Sequence, residues 1–399
     1  MQKHIINKTG AHHRSEKSTP TDFCMRSVAR GEGINPARNR ITRQIMRRIK
    51  LLGLLLTLSI TAVSCKSPTA PVDNTPPGKS NYVWSMDSVN YGTRPGTIQL
   101  ESIWGSSDTD VWGANGDAPD VRDCLWHYNG TDWSRATDGT PITQNTGNKV
   151  VYCVWGTAEN NVWAFGRNIN GTTLSAFIMH YDGSQWTDAT PSNVQALPVV
   201  LYNVYGVSSN DIWVGGYEYA LHYDGSQWQT YRVADSMTVV SIAGSSGNLF
   251  FQCGSPWGKD LSQIYSEKNG AFNLIDEAKT SEDKFGGLLW ANDGNLISFT
   301  NGIISTTIGS NGSINTSGWH RELTTPTYFS ARCVQSSKNA FAVGQWDLAY
   351  HYNGTEWESV NIDVPGHPVD PYALFYGVWT DGSQVFICDT QNGIVYHGR

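Results

Sequence analysis

The sequence predicts an all-β fold, a seven-bladed β-propeller made of four-stranded antiparallel blades. First, an imperfect unit recurs seven times, and Trp104 to Trp379 covers six steps of about 46 residues each. Second, each unit breaks into short apolar runs separated by Gly, Ser, Asn and Asp, a pattern typical of short strands joined by turns. Third, the last unit lacks one strand, and a suitable segment precedes the first unit.

The clearest unit runs from Leu201 to Trp228, LYNVYGVSSNDIWVGGYEYALHYDGSQW. It holds three apolar runs, and a fourth begins at Trp228. Asp224-Gly225 between the third and fourth runs favours a two-residue hairpin, because both central positions of a type I′ turn need positive φ. Such a sheet cannot bury both of its faces alone, so it needs neighbours of the same kind.

Six further units align with this one through W/Y-G-x-S in the first strand and [DN]-[VI]-W in the second. They cover Ser102–Trp133, Val151–Trp186, Val239–Phe272, residues 287 to about 319, Ala331–Trp357 and Tyr376–Gly398. The last unit stops after three strands. Asn81 to Val89, NYVWSMDSV, alternates in polarity and carries a tryptophan, so we expect it to close the ring as the fourth strand of the last blade and thereby hide both edges.

The chain ahead of the propeller reads as an export signal and a tether. Residues 1–45 are polar, basic and without pattern, and we interpret them as an upstream start-codon assignment or a disordered arm. Residues 46–64 combine a basic start with the apolar run Leu51 to Val63, which is typical of a secretory signal and too short for a permanent span. Residues 65–80 are rich in Pro and polar residues and predict a flexible tether, and residues 81–399 form the propeller.

Composition excludes some classes of partner. The 64 residues before Cys65 hold 12 Lys/Arg and 3 Asp/Glu, which leaves 16 basic and 32 acidic residues after them, a net charge of −16. The basic residues are scattered singly. We therefore expect no nucleic-acid ligand and no direct binding to anionic lipid.

Most residues that could serve as metal ligands or catalytic groups have structural explanations. His127, His180, His222 and His351 recur in the same third-strand setting, and equivalent positions in different blades cannot converge on one metal ion. No metal site is predicted, although Ca²⁺ on the loops remains open. Motifs such as G-x-S-x-G, H-E-x-x-H and C-x-x-C are absent, and no catalytic residue is assigned. The cysteines after Cys65 are expected to be free thiols.

The differences between units lie in the loops that join strands two and three and in the loops between blades. In a propeller these loops share one end of the ring, called the loop face below. Aromatic residues outside the repeating pattern stand there beside charged ones, a combination that suits sugar rings, a protein loop or a cation. The candidate binding residues are Asp117, Asp120, Arg122, Asp123, Tyr217, Glu218, Tyr219, Trp257, Lys259, Asp260, Trp346 and Asp347.

Two resemblances follow from these motifs. Thr61-Ala62-Val63-Ser64-Cys65 resembles the lipobox of bacterial lipoproteins, which implies that Cys65 is lipidated; Ala62 stands where that family usually has Leu, so cleavage by an ordinary signal peptidase is the alternative. The repeat W-G-[ST]-x-x-x-[DN]-V-W-x-x-G … H-Y-[DN]-G-x-x-W resembles that of uncharacterised lipid-anchored or secreted bacterial propellers. That resemblance implies the fold and little about activity.

Two function hypotheses remain. The first is a non-enzymatic binding or scaffold module of the bacterial cell envelope, monomeric and held to a membrane only by its lipid, with a protein or glycan ligand on the loop face. The second is a carbohydrate-active hydrolase or lyase with Asp117, Asp120 or Asp123 at the channel mouth. Two carboxyl groups roughly 5–10 Å apart beside an aromatic platform would favour the enzyme.

Overall fold

A computed structural model gives the fold of the chain. It describes residues 77–79, 81–89, 98–116, 118, 123–136, 149–245, 247–255, 260–282, 284–292 and 294–399. These residues form seven four-stranded antiparallel sheets and one two-stranded hairpin. A search of the same residues finds no helix with the length and hydrophobicity that a bilayer span requires.

Each unit of the sequence forms one blade, with its strands in sequential order. Blade one holds β2 (Leu100–Ser107), β3 (Asp110–Asn115), β4 (Leu125–Tyr128) and β5 (Trp133–Arg135). Blade two holds β6 (Lys149–Ala158), β7 (Asn161–Asn170), β8 (Thr173–Tyr181) and β9 (Trp186–Asp188), followed by the short helix α1 (Ser192–Gln195). Blade three holds β10 (Leu201–Ser208), β11 (Asp211–Gly216), β12 (Tyr219–Tyr223) and β13 (Trp228–Arg232).

The remaining blades follow the same plan. Blade four holds β14 (Thr238–Ser245), β15 (Asn248–Gly254), β16 (Ser262–Lys268) and β17 (Ala271–Ala278). Blade five holds β18 (Leu288–Asn292), β19 (Asn295–Phe299), β20 (Gly302–Thr307) and β21 (His320–Thr324). Blade six holds β22 (Phe329–Ser336), β23 (Asn339–Gly344), β24 (Ala349–Tyr352) and β25 (Trp357–Ser359), and the hairpin β26 (Asp363–Val364) and β27 (His367–Pro368) follows it. Blade seven adds β28 (Phe375–Thr380), β29 (Val385–Asp389) and β30 (Ile394–Gly398).

The N-terminal strand closes the ring, as predicted. Strand β1 (Trp84–Ser88) pairs antiparallel with β30, with Trp84 opposite Gly398 and Ser88 opposite Ile394. Two further backbone bonds between Val83 and Arg399, of 2.9 and 3.0 Å, extend the ladder by one residue. Each first strand contacts the first strands of both neighbouring blades, so the seven first strands surround a central channel. The prediction of a seven-bladed propeller is confirmed.

The W-G motif of the first strand is a contact between blades. In four junctions the glycine of one blade lies against the aromatic ring of the preceding blade, and a Cβ there would fall within 2.9 Å of that side chain. The pairs are Trp379–Gly105, Trp104–Gly156, Trp155–Gly206 and Tyr205–Gly244. Glycine is therefore required by the close approach of a ring, since no larger side chain fits beneath it.

The more degenerate blades support this explanation. Where the aromatic residue of one blade is replaced by a small one, the next blade has also lost its glycine: Ala243 precedes Ala291, and Cys333 precedes Thr380. Trp290 followed by Val334 is the exception. Apart from that pair, the two positions vary together, as neighbours that share one volume must.

The recurring third-strand histidines are structural. The Nε2–H of each histidine donates a hydrogen bond of 2.6–2.9 Å to the side-chain oxygen of the acid or amide that opens the second strand. Each histidine ring also lies 4.2–4.6 Å from a second-strand aromatic ring. The polar pairs are His127–Asp110, His180–Asn161, His222–Asp211 and His351–Asn339. Blade seven repeats the arrangement with His397 and Gln384, 2.5 Å apart. These contacts explain why the H-Y-[DN]-G motif recurs.

This arrangement predicts a loss of stability in acid. Burial lowers the pKa of His180 and His351, and burial together with the nearby Arg399 lowers the pKa of His397 to about 4. Below pH ~6.5 these histidines become protonated in the unfolded chain but stay neutral in the folded protein, because their folded-state pKa is lowered. Their contribution to the free energy of unfolding is therefore complete above that pH and is lost as the pH falls towards about 4. We expect His397→Gln to reduce the difference in unfolding free energy between pH 7 and pH 5, measured by urea denaturation. An unchanged difference would assign the pH dependence to other groups.

Candidate functional site

A β-bulge near the start of the first strand is the main irregularity of the blades. In six of the seven blades of the described chain, one residue of the first strand is skipped by the ladder to the second strand. The skipped residues, called the mouth ring below, are Glu101, Tyr152, Tyr202, Val240, Ser330 and Tyr376. Bulges redirect side chains and are common beside binding sites.

The bulge separates a buried residue from an accessible one in each of these blades. The residue before the mouth-ring position is buried in all six, whereas the mouth-ring residue itself is partly exposed. Tyr202 is the most accessible of these aromatic residues, with 39% of its surface exposed. Because a first strand begins where the interblade loop ends, these side chains lie at the loop-face end of the channel. Three tyrosines and a carboxylate therefore stand at the loop-face ends of the strands that surround the channel.

The mouth-ring residues of blades one to three, Glu101, Tyr152 and Tyr202, lie close to one another. The rings of Tyr152 and Tyr202 lie 5.2 Å apart, and the guanidinium of Arg167 lies 5.4 Å from the centre of the Tyr152 ring. Gly116 lets this cluster form, because a side chain there would meet both Glu101 and Tyr152. Burial raises the pKa of Tyr202, so its hydroxyl stays protonated near neutral pH and can donate a hydrogen bond.

An arginine lies deeper in the channel. Arg332 occupies the first-strand position where the other blades have the aliphatic residues Ile103, Val154, Val204, Ile242, Leu289 and Val378. Its Nη2 reaches past blade five and donates a hydrogen bond of 2.9 Å to the carbonyl oxygen of Ile242 in blade four. Burial lowers the pKa of Arg332 to about 10, which leaves the guanidinium charged at neutral pH. A positive charge therefore lies in the channel below the mouth ring.

Two of the candidate binding residues, Asp123 and Glu218, form ion pairs or hydrogen bonds within their own blades. Asp123 is buried, with 1% of its side chain exposed, and lies 3.3 Å from Arg135. Glu218 has a φ of 62° and accepts bonds from the Ser236 backbone N–H at 2.8 Å and from Arg232 at 3.1 Å. These carboxylates fix turns and are not presented to a ligand.

Tyr217 and Tyr219 flank Glu218 and pack, partly buried, against the core between blades two and three. Asp260, Trp346 and Asp347 are exposed on loops between the second and third strands of their blades, and 51% of the surface of Trp346 is accessible. The other candidates, Asp117, Asp120, Arg122, Trp257 and Lys259, lie outside the described residues, as does Cys65. None of the candidates that the structure describes belongs to the mouth ring.

Blade two carries a cavity of about 340 Å³ beside the long hairpin of β7 and β8. Three of its polar side chains are already engaged: Lys149 and Asp188 lie 2.7 Å apart, and Gln195 Nε2 donates to the carbonyl oxygen of Thr190 at 2.9 Å. Within the described ranges no three His, Cys, Asp or Glu side chains are grouped so that they could hold a metal ion. The mouth ring is therefore the better candidate site.

Comparison with known proteins agrees with the fold. No family model and no curated protein sequence matches the chain. Among solved structures it is similar to YCF48 bound to D1 peptide, at 15% identity and a TM-score of 0.55 over 82% of this chain and 99% of that one. It is similar to the extracellular domain assigned to the hybrid two component system BT4673 from B. thetaiotaomicron (12%, TM-score 0.53, 79% of this chain and 40% of that one). It is similar also to the WD40 β-propeller domain of Doa1 (11%, TM-score 0.52, 80% and 97%).

At these identities the likeness establishes the fold alone. The solved structures share the ring of blades with this chain. What each of them binds remains a property of that protein.

Proposed function

We propose that this chain is a non-enzymatic binding module of the bacterial cell envelope that holds a segment of another protein at the mouth ring. The observation that carries the proposal is the repeated bulge, which leaves one accessible residue at the loop-face end of six of the first strands that surround the channel. These residues are Glu101, Tyr152, Tyr202, Val240, Ser330 and Tyr376. Tyrosines on a rigid scaffold give large contact areas at low entropic cost, which is typical of protein-binding surfaces.

The chemistry of the mouth suits a peptide segment. Glu101 and Arg167 supply one charge of each sign beside the Tyr152 ring, and Arg332 supplies a cation below. An extended peptide presents apolar side chains for the tyrosines and backbone carbonyls for the cations. YCF48, which has a similar fold, has been solved bound to D1 peptide, and this supports a peptide ligand. Asp123, one of the three carboxylates on which the hydrolase hypothesis depends, is engaged with Arg135.

Anchoring to a membrane through Cys65 is part of the proposal. Lipidation there would attach the propeller through the tether of residues 65–80. Cys65→Ser is expected to move the protein from the membrane fraction to the soluble fraction. Retention of the variant on membranes would contradict the lipid anchor.

Binding at the mouth is tested with Tyr202→Ala. The probes are an array of overlapping 15-residue peptides from the envelope proteins of the host bacterium and, in parallel, a glycan array. We expect a set of peptides whose affinity falls about tenfold in the variant, because an aromatic residue at the centre of an interface commonly contributes that much. The control is Val207→Ala, on the same strand but 56% exposed near the opposite face, and it should bind like the wild type. Binding to glycans alone, or peptide binding that Tyr202→Ala leaves unchanged, would contradict the proposal.

A further inference from the structure

A second cluster of aromatic residues lies on the loop face, where blades six and seven meet. Tyr328, Trp346 and Tyr372 have 44%, 51% and 67% of their surfaces exposed, and they belong to three different loops. They are named the aromatic patch below. They are three of the eight large hydrophobic side chains exposed in the described chain.

Backbone bonds hold the three loops together. The backbone N–H of Gln345, next to Trp346, donates to the carbonyl oxygen of Tyr328 at 3.2 Å. On the other side of Trp346, the backbone N–H of Asp347 donates to the carbonyl oxygen of Ala373, next to Tyr372, also at 3.2 Å. The three aromatic side chains are therefore carried by one bonded set of loops.

The loop that carries Trp346 is conformationally unusual. Trp346 and Asp347 have φ values of 59° and 53°, in the left-handed region that side chains other than glycine rarely adopt. Consecutive residues of this kind cost free energy and persist where the surrounding structure enforces them. Here the outcome is an indole held on the surface beside a carboxylate, although burying it would stabilise the fold.

The stretch of chain that carries Trp346 and Tyr372 has charge of one sign. Residues 339–398 contain seven Asp or Glu and no Lys or Arg, a formal charge of −7 over 60 residues. Of these carboxylates, Asp347 and Asp370 lie in the loops that carry Trp346 and Tyr372, and Asp370 accepts a hydrogen bond of 2.9 Å from the backbone N–H of Tyr372. Aromatic faces and carboxylates without competing cations are the combination that binds guanidinium and ammonium groups.

We propose that the aromatic patch binds an arginine- or lysine-containing segment of a protein partner. The proposal rests on the protein-binding function above and adds the chemistry of the partner: cations over the Trp346 and Tyr372 rings, with Asp347 and Asp370 as counter-charges. A neutral glycan could stack on the same rings, but it would gain nothing from the local negative charge. That charge therefore favours the basic segment.

The test measures fluorescence anisotropy with a labelled peptide of four arginines alternating with glycines. Matched peptides carry glutamate or citrulline in place of arginine. We expect the arginine peptide to bind, its affinity to fall several-fold between 50 and 300 mM salt, and the other two peptides to bind at least about tenfold more weakly. Absence of binding by the arginine peptide at 1 mM, or equal binding of all three peptides, would overturn the proposal.

Variants locate the binding. Trp346→Gly with Tyr372→Ser should reduce the affinity about tenfold, roughly two exposed cation–π contacts, and glycine suits the φ of residue 346. Asp347→Asn with Asp370→Asn should weaken it several-fold and reduce the salt dependence, while the side-chain shapes are retained. Leu274→Ala, which removes an apolar side chain 48% exposed on blade four, is the control. Unchanged affinity in both paired variants would overturn the assignment.

The test of the aromatic patch can be distinguished from the test of the mouth ring. Tyr202→Ala should leave the arginine peptide bound to the patch, whereas the paired patch variants should leave mouth-ring peptides without basic residues bound. Loss of one set of ligands without the other therefore identifies which proposal has failed.

Discussion

We expect Trp84→Ala to lower the free energy of unfolding by about 3–5 kcal/mol. Trp84 belongs to the closing strand β1 and is 6% exposed, in a core cluster with Phe341, Phe375 and Tyr396. Removing the indole leaves a cavity at the junction that closes the ring and weakens the pairing of β1 with β30. An open blade seven would also expose a strand edge, so the variant should aggregate at lower temperature than the wild type.

The neighbouring residue provides the control. Val83 is 78% exposed, so Val83→Ala should change the free energy of unfolding by less than about 0.5 kcal/mol. Both variants are compared by urea denaturation followed by tryptophan fluorescence and by circular dichroism, since Trp84 itself contributes to the fluorescence. Equal stability of Trp84→Ala and Val83→Ala would show that the closing strand contributes little to the ring.

The second large effect is expected at the junction of blades two and three. Gly206→Ala places a methyl group against the Trp155 ring, in a space that the ring already fills. We expect a loss of about 3 kcal/mol, the upper part of the range for overpacked cores, because both partners lie on paired strands that cannot move apart freely.

Gly254→Ala is the matched control, because a Cβ at that strand glycine would meet only Val240, at an ordinary distance of 3.6 Å. The double variant Trp155→Leu, Gly206→Ala should be more stable than the sum of the single effects predicts, by about 1–3 kcal/mol, since the smaller side chain makes room for the methyl group. Additive effects would mean that the glycine is needed for another reason.

The architecture could be predicted from the sequence because it depends on local, repeated signals. The turn between β12 and β13 lies where the sequence predicts it, but it is not the predicted two-residue type I′ turn: it spans Asp224 to Gln227, and only Gly225 has a positive φ, of 89°. The side chain of Asp224 instead accepts hydrogen bonds from the backbone N–H groups of Ser226 and Gln227. Asn81 to Val89 contains the closing strand. Such signals are informative because few residue types adopt the backbone conformations that turns require. Their recurrence in seven units indicates the same blade structure each time. Even blade five, the most degenerate unit, has its four strands where the repeat predicts them.

The site was harder to predict because it depends on register. Tyr152 and Tyr202 stand in runs, VYCVWG and LYNVYG, that read as ordinary strands, and a bulge that skips one residue leaves no distinct composition. A signal was nevertheless present. The residues at this position change in type from blade to blade while the residue before each stays apolar. Conversely, Asp123 and Glu218 appear available in the sequence, because their partners Arg135 and Arg232 are distant along the chain.

The pairing of β1 with β30 also constrains how the protein is made. Ser85 and His397 are bonded partners 312 positions apart, so blade seven must wait until nearly all of the ring has left the ribosome. Until then blades one to six can form in order, each on the one before, while the first and last edges stay unsatisfied. A chaperone that shields strand edges would act on this interval.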